Sequence, residues 1–192
     1  LNGFDVNALE VVEQAREFSF SRPEQTGQFT QPFASAQPFK KIQAAISDED
    51  TLVLEFFLGE EKSYLWLFEK DDSLQTYELP SRNLIEEKAQ DFYNALTSPP
   101  NRARPRATTE IGRELSEMLL GQVADQLGTK RLVIDADGFL QYLPFNVLPN
   151  PDPDNFPTAE ALQGEYAPVL NPLLLDHEIV HLPSASTLVA LR

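Results

Sequence analysis

Cysteine is absent from this sequence of 192 residues. Its absence excludes a disulfide framework, a zinc–thiolate or iron–sulfur site, and a cysteine nucleophile within the chain. The 8 glycines form no phosphate-binding arrangement such as G-x-G-x-x-G, so the sequence does not support a nucleotide site. No apolar run approaches the ~20 residues of a membrane span, and no signal-peptide pattern opens the chain. We therefore expect a cytoplasmic protein without a cofactor.

Basic residues are also scarce. Lys and Arg number 15 against 30 Asp and Glu, which gives a formal net charge of -15. Because this charge repels a phosphate backbone or an anionic lipid surface, we expect neither nucleic acid nor membrane as a partner. Apolar residues, in contrast, make up 42% of the chain and include 13 Phe. That content is sufficient for the core of one folded domain.

Runs of β-branched and aromatic residues predict an antiparallel meander. Thr51–Leu58 (TLVLEFFL) and Ser63–Glu69 (SYLWLFE) are separated by four residues, a length that suits a hairpin turn. Leu74–Leu79 alternates well enough to add a third strand. Tyr64 and Trp66 could line a pocket on the second strand, but aromatic residues of a central strand are more often part of the core.

Two amphipathic helices are predicted after the meander. Ser81 is the expected cap of the first, which follows Pro80. The second opens at Thr109 and ends by Gly128. The expected apolar face of the first helix comprises Leu84, Ile85, Phe92, Tyr93 and Leu96, and that of the second comprises Ile111, Leu115, Met118, Leu119 and Val123.

A buried strand is predicted after the second helix. Arg131–Asp135 (RLVID) has the apolar run that is typical of a strand covered on both faces. Asp137-Gly138 is a turn signal, and we expect a further strand over Phe139–Phe145. Together with the helices, these strands predict an α/β fold, a sheet flanked by helices.

The remaining segments are predicted as loops, one more strand and a final helix. Pro149–Pro172 is proline-rich and predicts a long surface loop. His177–Leu182 (HEIVHL) is the expected last strand. The residues after it begin a helix with Ser184 or Ser186 as its cap.

The amino-terminal region is predicted to contain a helix and an extended linker. Phe4–Phe20 has apolar residues at helical spacing, whereas Ser21–Pro38 has no periodicity and contains three prolines. Phe39–Ile46 suits one or two helical turns. Elsewhere, Asn101–Arg106 concentrates three arginines, which we interpret as a solvated loop rather than a site for an acidic partner.

One short stretch contains the residue types of a serine hydrolase: Asp176, His177, His181, Ser184 and Ser186. No G-x-S-x-G motif accompanies them. Both histidines would lie on the same face of an extended strand, and the serines suit helix capping. We therefore predict no catalytic residue in this chain.

Two patterns resemble metal sites but lack the required spacing. The histidine pair with Glu178 is spaced H-E-x-x-x-H, one residue longer than the helical H-E-x-x-H motif of zinc enzymes. Asp135–Gly138 is similar to the start of a calcium loop, but Gln141 and Asn146 stand where the later ligands belong. We predict a turn there and no metal-ligating residue.

Several segments, in order and spacing, resemble the amino-terminal half of CHAT domains, which are caspase-like domains often found behind TPR repeats in bacteria. These segments are Thr51–Leu67 (TLVLEFFLGEEKSYLWL), Leu79–Arg82 (LPSR), Lys130–Leu148 (KRLVIDADGFLQYLPFNVL) and His177–Leu191 (HEIVHLPSASTLVAL). The resemblance covers about Gln31–Arg192.

The resemblance implies a caspase-like, clan CD fold in which a non-catalytic half precedes a catalytic half. In active members a Cys-His dyad in the later half cleaves peptides, and His177 and His181 match neither dyad position. Residues 51–192 would then be the pseudo-protease half, and residues 1–50 an amino-terminal helix and linker, a possible end of a helical repeat region.

The implied partners are the Cys-His catalytic half of the same protein, peptide substrates and upstream TPR repeats. The alternative is a binding or scaffold module with a caspase-like fold and no peptidase activity. Because the chain opens at Leu1 and stops at Arg192, we expect it to be part of a longer protein, with Arg192 either a processing site or an arbitrary boundary of this piece. If half of a pseudo-symmetric fold is missing, an exposed sheet edge or an exposed apolar face is also expected.

Overall fold

The computed structural model describes residues 7–13, 38–70, 74–98, 105–151 and 171–191. Residues 7–13 are helical and are called α1. Three predicted features lie wholly or partly outside the described residues. They are the rest of the Phe4–Phe20 helix, the Ser21–Pro38 linker up to residue 37, and the arginines Arg102 and Arg104. So does most of the predicted Pro149–Pro172 loop.

A mixed five-stranded sheet forms the centre of the fold. Its strands are β1 (Thr51–Phe57), β2 (Ser63–Phe68), β3 (Gln75–Leu79), β4 (Arg131–Asp135) and β5 (Ile179–Leu182). Their order across the sheet is β3-β2-β1-β4-β5. β2 is antiparallel to both β1 and β3, whereas β4 is parallel to both β1 and β5. The predicted meander and the α/β fold class are confirmed.

Helices cover both faces of this sheet. They are α2 (Pro38–Ala45), α3 (Arg82–Thr97), α4 (Pro105–Leu120), α5 (Ala124–Leu127) and α6 (Thr187–Ala190). Successive side chains of a strand point to opposite faces. Leu54 and Phe56 of β1 therefore pack in the core with α3 and α4, while Val53 packs in a second core with α1, α2 and α6. Burial on both faces explains the nearly continuous apolar sequence of β1.

The face of α3 differs from the predicted one. Ile85, Ala89 and Phe92 are its buried residues. Leu84 and Tyr93 remain 42% and 39% exposed, and Leu96 is exposed to a similar degree. The helix carries apolar residues over more than one face, and the sheet covers only the stripe at i, i+4 and i+7.

The second long helix begins earlier than predicted. α4 starts at Pro105 rather than at Thr109, so Arg106 lies in a helix and not in the predicted loop. Proline suits a first helical position because its missing N–H would have no intrahelical acceptor there. After α4, a 3-10 turn over Gly121–Val123 and the short α5 lead to Gly128, whose φ is +52°.

The prediction of a strand over Phe139–Phe145 is wrong. Gly138–Tyr142 and Phe145–Val147 form 3-10 helices instead. Gly138 has a φ of +55°, and the Asp137 carboxylate accepts a hydrogen bond from the Gly138 N–H at 2.7 Å. This local turn chemistry directs the chain away from an extended path.

Ser81 and Ser186 stand at the predicted N-cap positions of α3 and α6, but neither side chain makes a capping bond. The Ser186 hydroxyl donates to Glu13 of α1, and Ser184 Oγ lies 3.2 Å from Thr187 Oγ1. Within the described ranges, no helix combines the length and the apolar character needed to cross a membrane.

Candidate functional site at the carboxyl ends of the parallel strands

The three parallel strands β1, β4 and β5 end at the same edge of the sheet. In α/β folds this edge carries most ligand and active sites, because the loops that follow the strands converge there. Leu58 follows β1, Ala136 follows β4 and Pro183 follows β5. The side chains around these three positions are therefore the candidate site.

Asp137 connects the end of β4 with the end of β1. Its Oδ2 atom accepts a hydrogen bond from the Leu58 N–H at 3.0 Å and lies 3.4 Å from Arg82 Nη2. Arg82 in turn donates from Nε and Nη2 to the Leu58 carbonyl oxygen, at 3.1 and 2.5 Å. Both backbone groups of Leu58 are thus held by side chains from two other elements.

Glu86 of α3 completes this corner. Its Oε1 atom accepts a hydrogen bond from the Phe139 N–H at 3.2 Å and lies 3.6 Å from Arg82 Nη1. A Cβ atom added to Gly138 would overlap Glu86 Oε1. Glycine at this position therefore provides both the positive φ and the space that the carboxylate occupies.

An open cleft of about 540 Å³ lies beside this corner. Its lining residues are Phe57, Leu58, Gly59, Glu60, Arg82 and Asn83. The Arg82 guanidinium already contacts the Leu58 carbonyl, Asp137 and Glu86. Its charge is offset within the protein, so the cleft does not have the character of an anion site.

A second group of side chains lies on the face of the sheet covered by α1. It consists of the buried carboxylates Glu13, Glu55 and Asp135. Glu55 and Asp135 pair in register on β1 and β4. Each of the three residues is at most 1% exposed, and one carboxylate oxygen of each lies within 4.8 Å of the others. Carboxylate oxygens are the ligands that Ca²⁺ and Mg²⁺ prefer, so this group could hold such a cation. Sequence reasoning did not identify Glu13 or Glu55.

Two of the buried carboxylates bind the segment that follows β5. Asp135 Oδ2 accepts a hydrogen bond from the Ala185 N–H at 2.7 Å. Glu13 Oε2 accepts one from the Ser186 N–H at 2.7 Å and another from the Ser186 hydroxyl. The chain between β5 and α6 is thus bound both to the sheet and to α1.

The two histidines occupy different environments. His177 is buried, and its Nδ1 atom lies 2.8 Å from the Lys130 carbonyl oxygen, so Nδ1 carries the proton that is donated. His181 is exposed as a residue, but its ring centroid lies 5.7 Å from that of Phe145. Burial of part of the ring lowers the pKa of His181 below its ordinary value.

The residues considered for a serine hydrolase bind separate partners. Asp176 Oδ2 accepts hydrogen bonds from Asn150 Nδ2 at 3.2 Å and from Asn171 Nδ2 at 3.0 Å. Ser184 contacts Thr187, Ser186 contacts Glu13, and His177 contacts the backbone of Lys130. Among the described residues neither serine hydroxyl bonds to His177 or His181, so the Ser-His pair of a serine hydrolase is not formed.

The other sequence candidates are structural. Trp66 is 2% exposed and stacks with Tyr64 at a centroid distance of 6.4 Å, so it belongs to the core that faces α1 and α2. Asp135 and Asp137, considered for a calcium loop, bind Ala185 and Leu58 respectively. Asp135 bonds to the segment after β5, whereas Asp137 bonds to the corner formed by Leu58 and Arg82, so the two carboxylates do not share a ligand position.

Residues 109–192 match the family model of the CHAT domain. No curated protein matches the chain. The matched residues run from within α4 through β4 and β5 to the end of α6, and they include Asp135, Asp137 and both histidines. The predicted resemblance to CHAT domains is thereby confirmed over residues 109–192, which are similar to that family.

Proposed function

We propose that this chain is the non-catalytic amino-terminal part of a CHAT-family, caspase-like cysteine endopeptidase. It supports a Cys-His catalytic half that lies outside these 192 residues. The observation that carries the proposal is the CHAT match over residues 109–192 in a sequence that contains no cysteine. A cysteine peptidase requires a thiolate, and this chain cannot supply one.

The contacts at the carboxyl edge of the sheet favour a supporting role. Asp137, Arg82 and Glu86 bind backbone groups of Leu58 and Phe139 and so fix the loops that follow β1 and β4. A catalytic half is productive only when its reacting groups are held in a narrow geometry. Loops held by these half-buried, charged contacts give such a half a rigid surface on which to pack.

Peptide hydrolysis tests this proposal. The chain of 192 residues is assayed with a fluorogenic Arg peptide beside the longer natural protein that contains it, each with and without iodoacetamide. We expect no hydrolysis by the 192-residue chain and alkylator-sensitive hydrolysis by the longer protein. Hydrolysis by the 192-residue chain that survives purification would contradict the proposal.

A binding module without peptidase activity is the second candidate. An exposed cluster of aromatic residues favours it, because large exposed apolar groups often mark interaction surfaces. Tyr142 is 70% exposed, and its ring centroid lies 5.8 Å from that of Phe139, which in turn contacts Tyr93 at 6.1 Å. A longer protein that hydrolyses no peptide, whether or not the thiol is alkylated, would favour this candidate over the peptidase.

A further inference from the structure

A row of three aromatic rings lies on the surface between α3 and the 3-10 helix that follows β4. The row consists of Tyr93, Phe139 and Tyr142. The ring centroids of Tyr93 and Phe139 are 6.1 Å apart at an interplanar angle of 90°, and those of Phe139 and Tyr142 are 5.8 Å apart at 47°. Phe139 packs partly against the core, whereas both tyrosines are exposed. The rings therefore hold one another in place and keep accessible surfaces.

Leu96 extends the aromatic row along α3. It lies three residues after Tyr93, so the two side chains project from the same side of the helix, and it is exposed. Gln90, three residues before Tyr93, is exposed on that side as well. The row therefore continues into an aliphatic group, and an amide that can donate a hydrogen bond lies at its side.

An acidic corner adjoins the row at Phe139, whose N–H donates to Glu86 Oε1 at 3.2 Å. Glu86 and Asp137 both lie within ion-pair distance of Arg82. Among the described residues Arg82 is the one cation paired with these two carboxylates, so the corner carries a net negative charge. The whole chain carries -15. A partner that covers the row must therefore be neutral or basic.

We propose that the aromatic row binds a proline-rich peptide in the polyproline II conformation, with an arginine of that peptide beside the acidic corner. Aromatic surfaces are the usual recognition sites for such peptides, because proline rings pack against them. A polyproline II helix repeats every three residues, about 9 Å, so two prolines on one side of it can contact different rings of the row. Its backbone carbonyls make no internal hydrogen bonds, and the exposed Tyr142 hydroxyl can donate to one of them.

Other occupants fit the row less well. An amphipathic helix requires a groove for apolar side chains over two turns or more, and this row offers three rings and one leucine. A second copy of this chain would bring the same negative charge to the acidic corner. The inference specifies a partner for the second candidate function, a binding module, and it holds whether or not the longer protein hydrolyses peptides.

Fluorescence anisotropy with the 192-residue chain tests the inference. The labelled probe is a peptide with two Pro-x-x-Pro repeats followed by one arginine. We expect saturable binding with a dissociation constant below about 1 mM. A probe with alanine in place of the prolines should bind roughly tenfold more weakly, because it keeps the charge and loses the preformed helix. Glutamate in place of the arginine should also weaken binding, and salt should reduce that difference.

Variants of the protein locate the binding surface. Tyr142→Ala removes the most exposed ring and should weaken binding roughly five- to tenfold, as truncation of an aromatic anchor does. Tyr142→Phe keeps the ring and should retain most of the affinity. Leu175→Ala is the matched control, since Leu175 is exposed to a similar degree and lies outside the row. Glu86→Gln keeps an acceptor for the Phe139 N–H and removes the charge, so it should affect only the probe that carries arginine.

Four outcomes would overturn the inference. The first is the absence of saturable binding. The second is equal binding of the probe without prolines, which would show attraction by charge alone. The third is unchanged affinity in Tyr142→Ala, which would place the peptide elsewhere. The fourth is self-association of the wild-type chain in sedimentation that is lost in Tyr142→Ala, which would show that a second copy covers the row. None of these measurements involves peptide hydrolysis, so their failure is distinct from failure of the peptidase proposal.

Discussion

The ring of Phe92 lies against the backbone of Gly112, where α3 crosses α4. A Cβ atom on Gly112 would approach Phe92 Cε2 to 2.7 Å. Phe92 is buried, so its ring has little space to move. The absence of a side chain at Gly112 therefore sets how closely the two helices pack on the sheet.

Gly112→Ala should destabilise the protein by up to about 2 kcal/mol, because overpacking that typically costs ~1–3 kcal/mol is offset in part by a gain of roughly 1 kcal/mol in helix propensity. The free energy of unfolding from urea titration measures the effect. Gly121→Ala is the control, since its nearest neighbour would lie at 3.5 Å. The cost of Gly112→Ala should shrink in a Phe92→Leu background; an equal cost in both backgrounds would show that the ring is not the cause.

Asp137→Ala should lower the free energy of unfolding by about 1–3 kcal/mol, because it leaves the Leu58 N–H without its carboxylate acceptor. Arg82 would also lose one of its anionic neighbours. The comparison is Glu117→Ala, which removes an exposed i,i+4 pair with Arg113 and should cost less than about 0.5 kcal/mol. Similar costs for the two variants would mean that the corner around Leu58 contributes little.

Ser116→Ala and Ser81→Ala should differ although both remove one hydroxyl. Ser116 is fully buried and its hydroxyl donates to the Pro149 carbonyl at 2.5 Å, so its loss should cost about 1–2 kcal/mol. Ser81 forms no capping bond to the described part of α3, so its loss should cost less than the ~1 kcal/mol of a working cap. Urea unfolding of both variants tests this order, and a larger cost at Ser81 would contradict it.

The stability of the protein should depend on pH through His181. Its folded pKa lies below the ordinary value of 6.5, because burial disfavours the charged ring. Well above pH 6.5 the His181 ring is neutral in both the folded and the unfolded protein. As the pH falls from 6.5 through the lower folded pKa, the unfolded state takes up the proton first and stability decreases. Urea unfolding of the wild type and His181→Gln between pH 5.5 and 8 should show a difference that grows toward low pH. A constant difference would refute the assignment.

The sequence predicted the strands well where burial on both faces dictates their composition. β1, β2 and β4 are apolar nearly throughout and were predicted within one residue of their observed ends. The Phe139–Phe145 segment was missed because Asp137 and Gly138 impose a local turn that outweighs β propensity. The buried face of α3 was predicted in part, since only packing decides which of several apolar stripes the sheet covers.

The buried carboxylates carried one sequence signal. Glu55 is a charged residue in the middle of the apolar strand TLVLEFF, and a charge in that position requires polar neighbours inside the fold. Glu13 carried none, because its partner Ser186 is distant in sequence and meets it only in the folded chain. Ser186 stands at the predicted N-cap position of α6, but its hydroxyl donates to Glu13 and makes no capping bond.

The strand order has a consequence for the order of folding. β1 and β2 form a hairpin soon after synthesis, but Thr51 of β1 pairs with Arg131 of β4 on its other edge. About 80 residues separate these partners, which at ~5–20 residues per second leaves the second edge of β1 unpaired for roughly 4–16 s on the ribosome. During that interval an apolar strand with open backbone groups stands at the edge of the nascent sheet. The topology therefore favours protection of this edge by a chaperone, or a low concentration of nascent chains, until β4 has been synthesised.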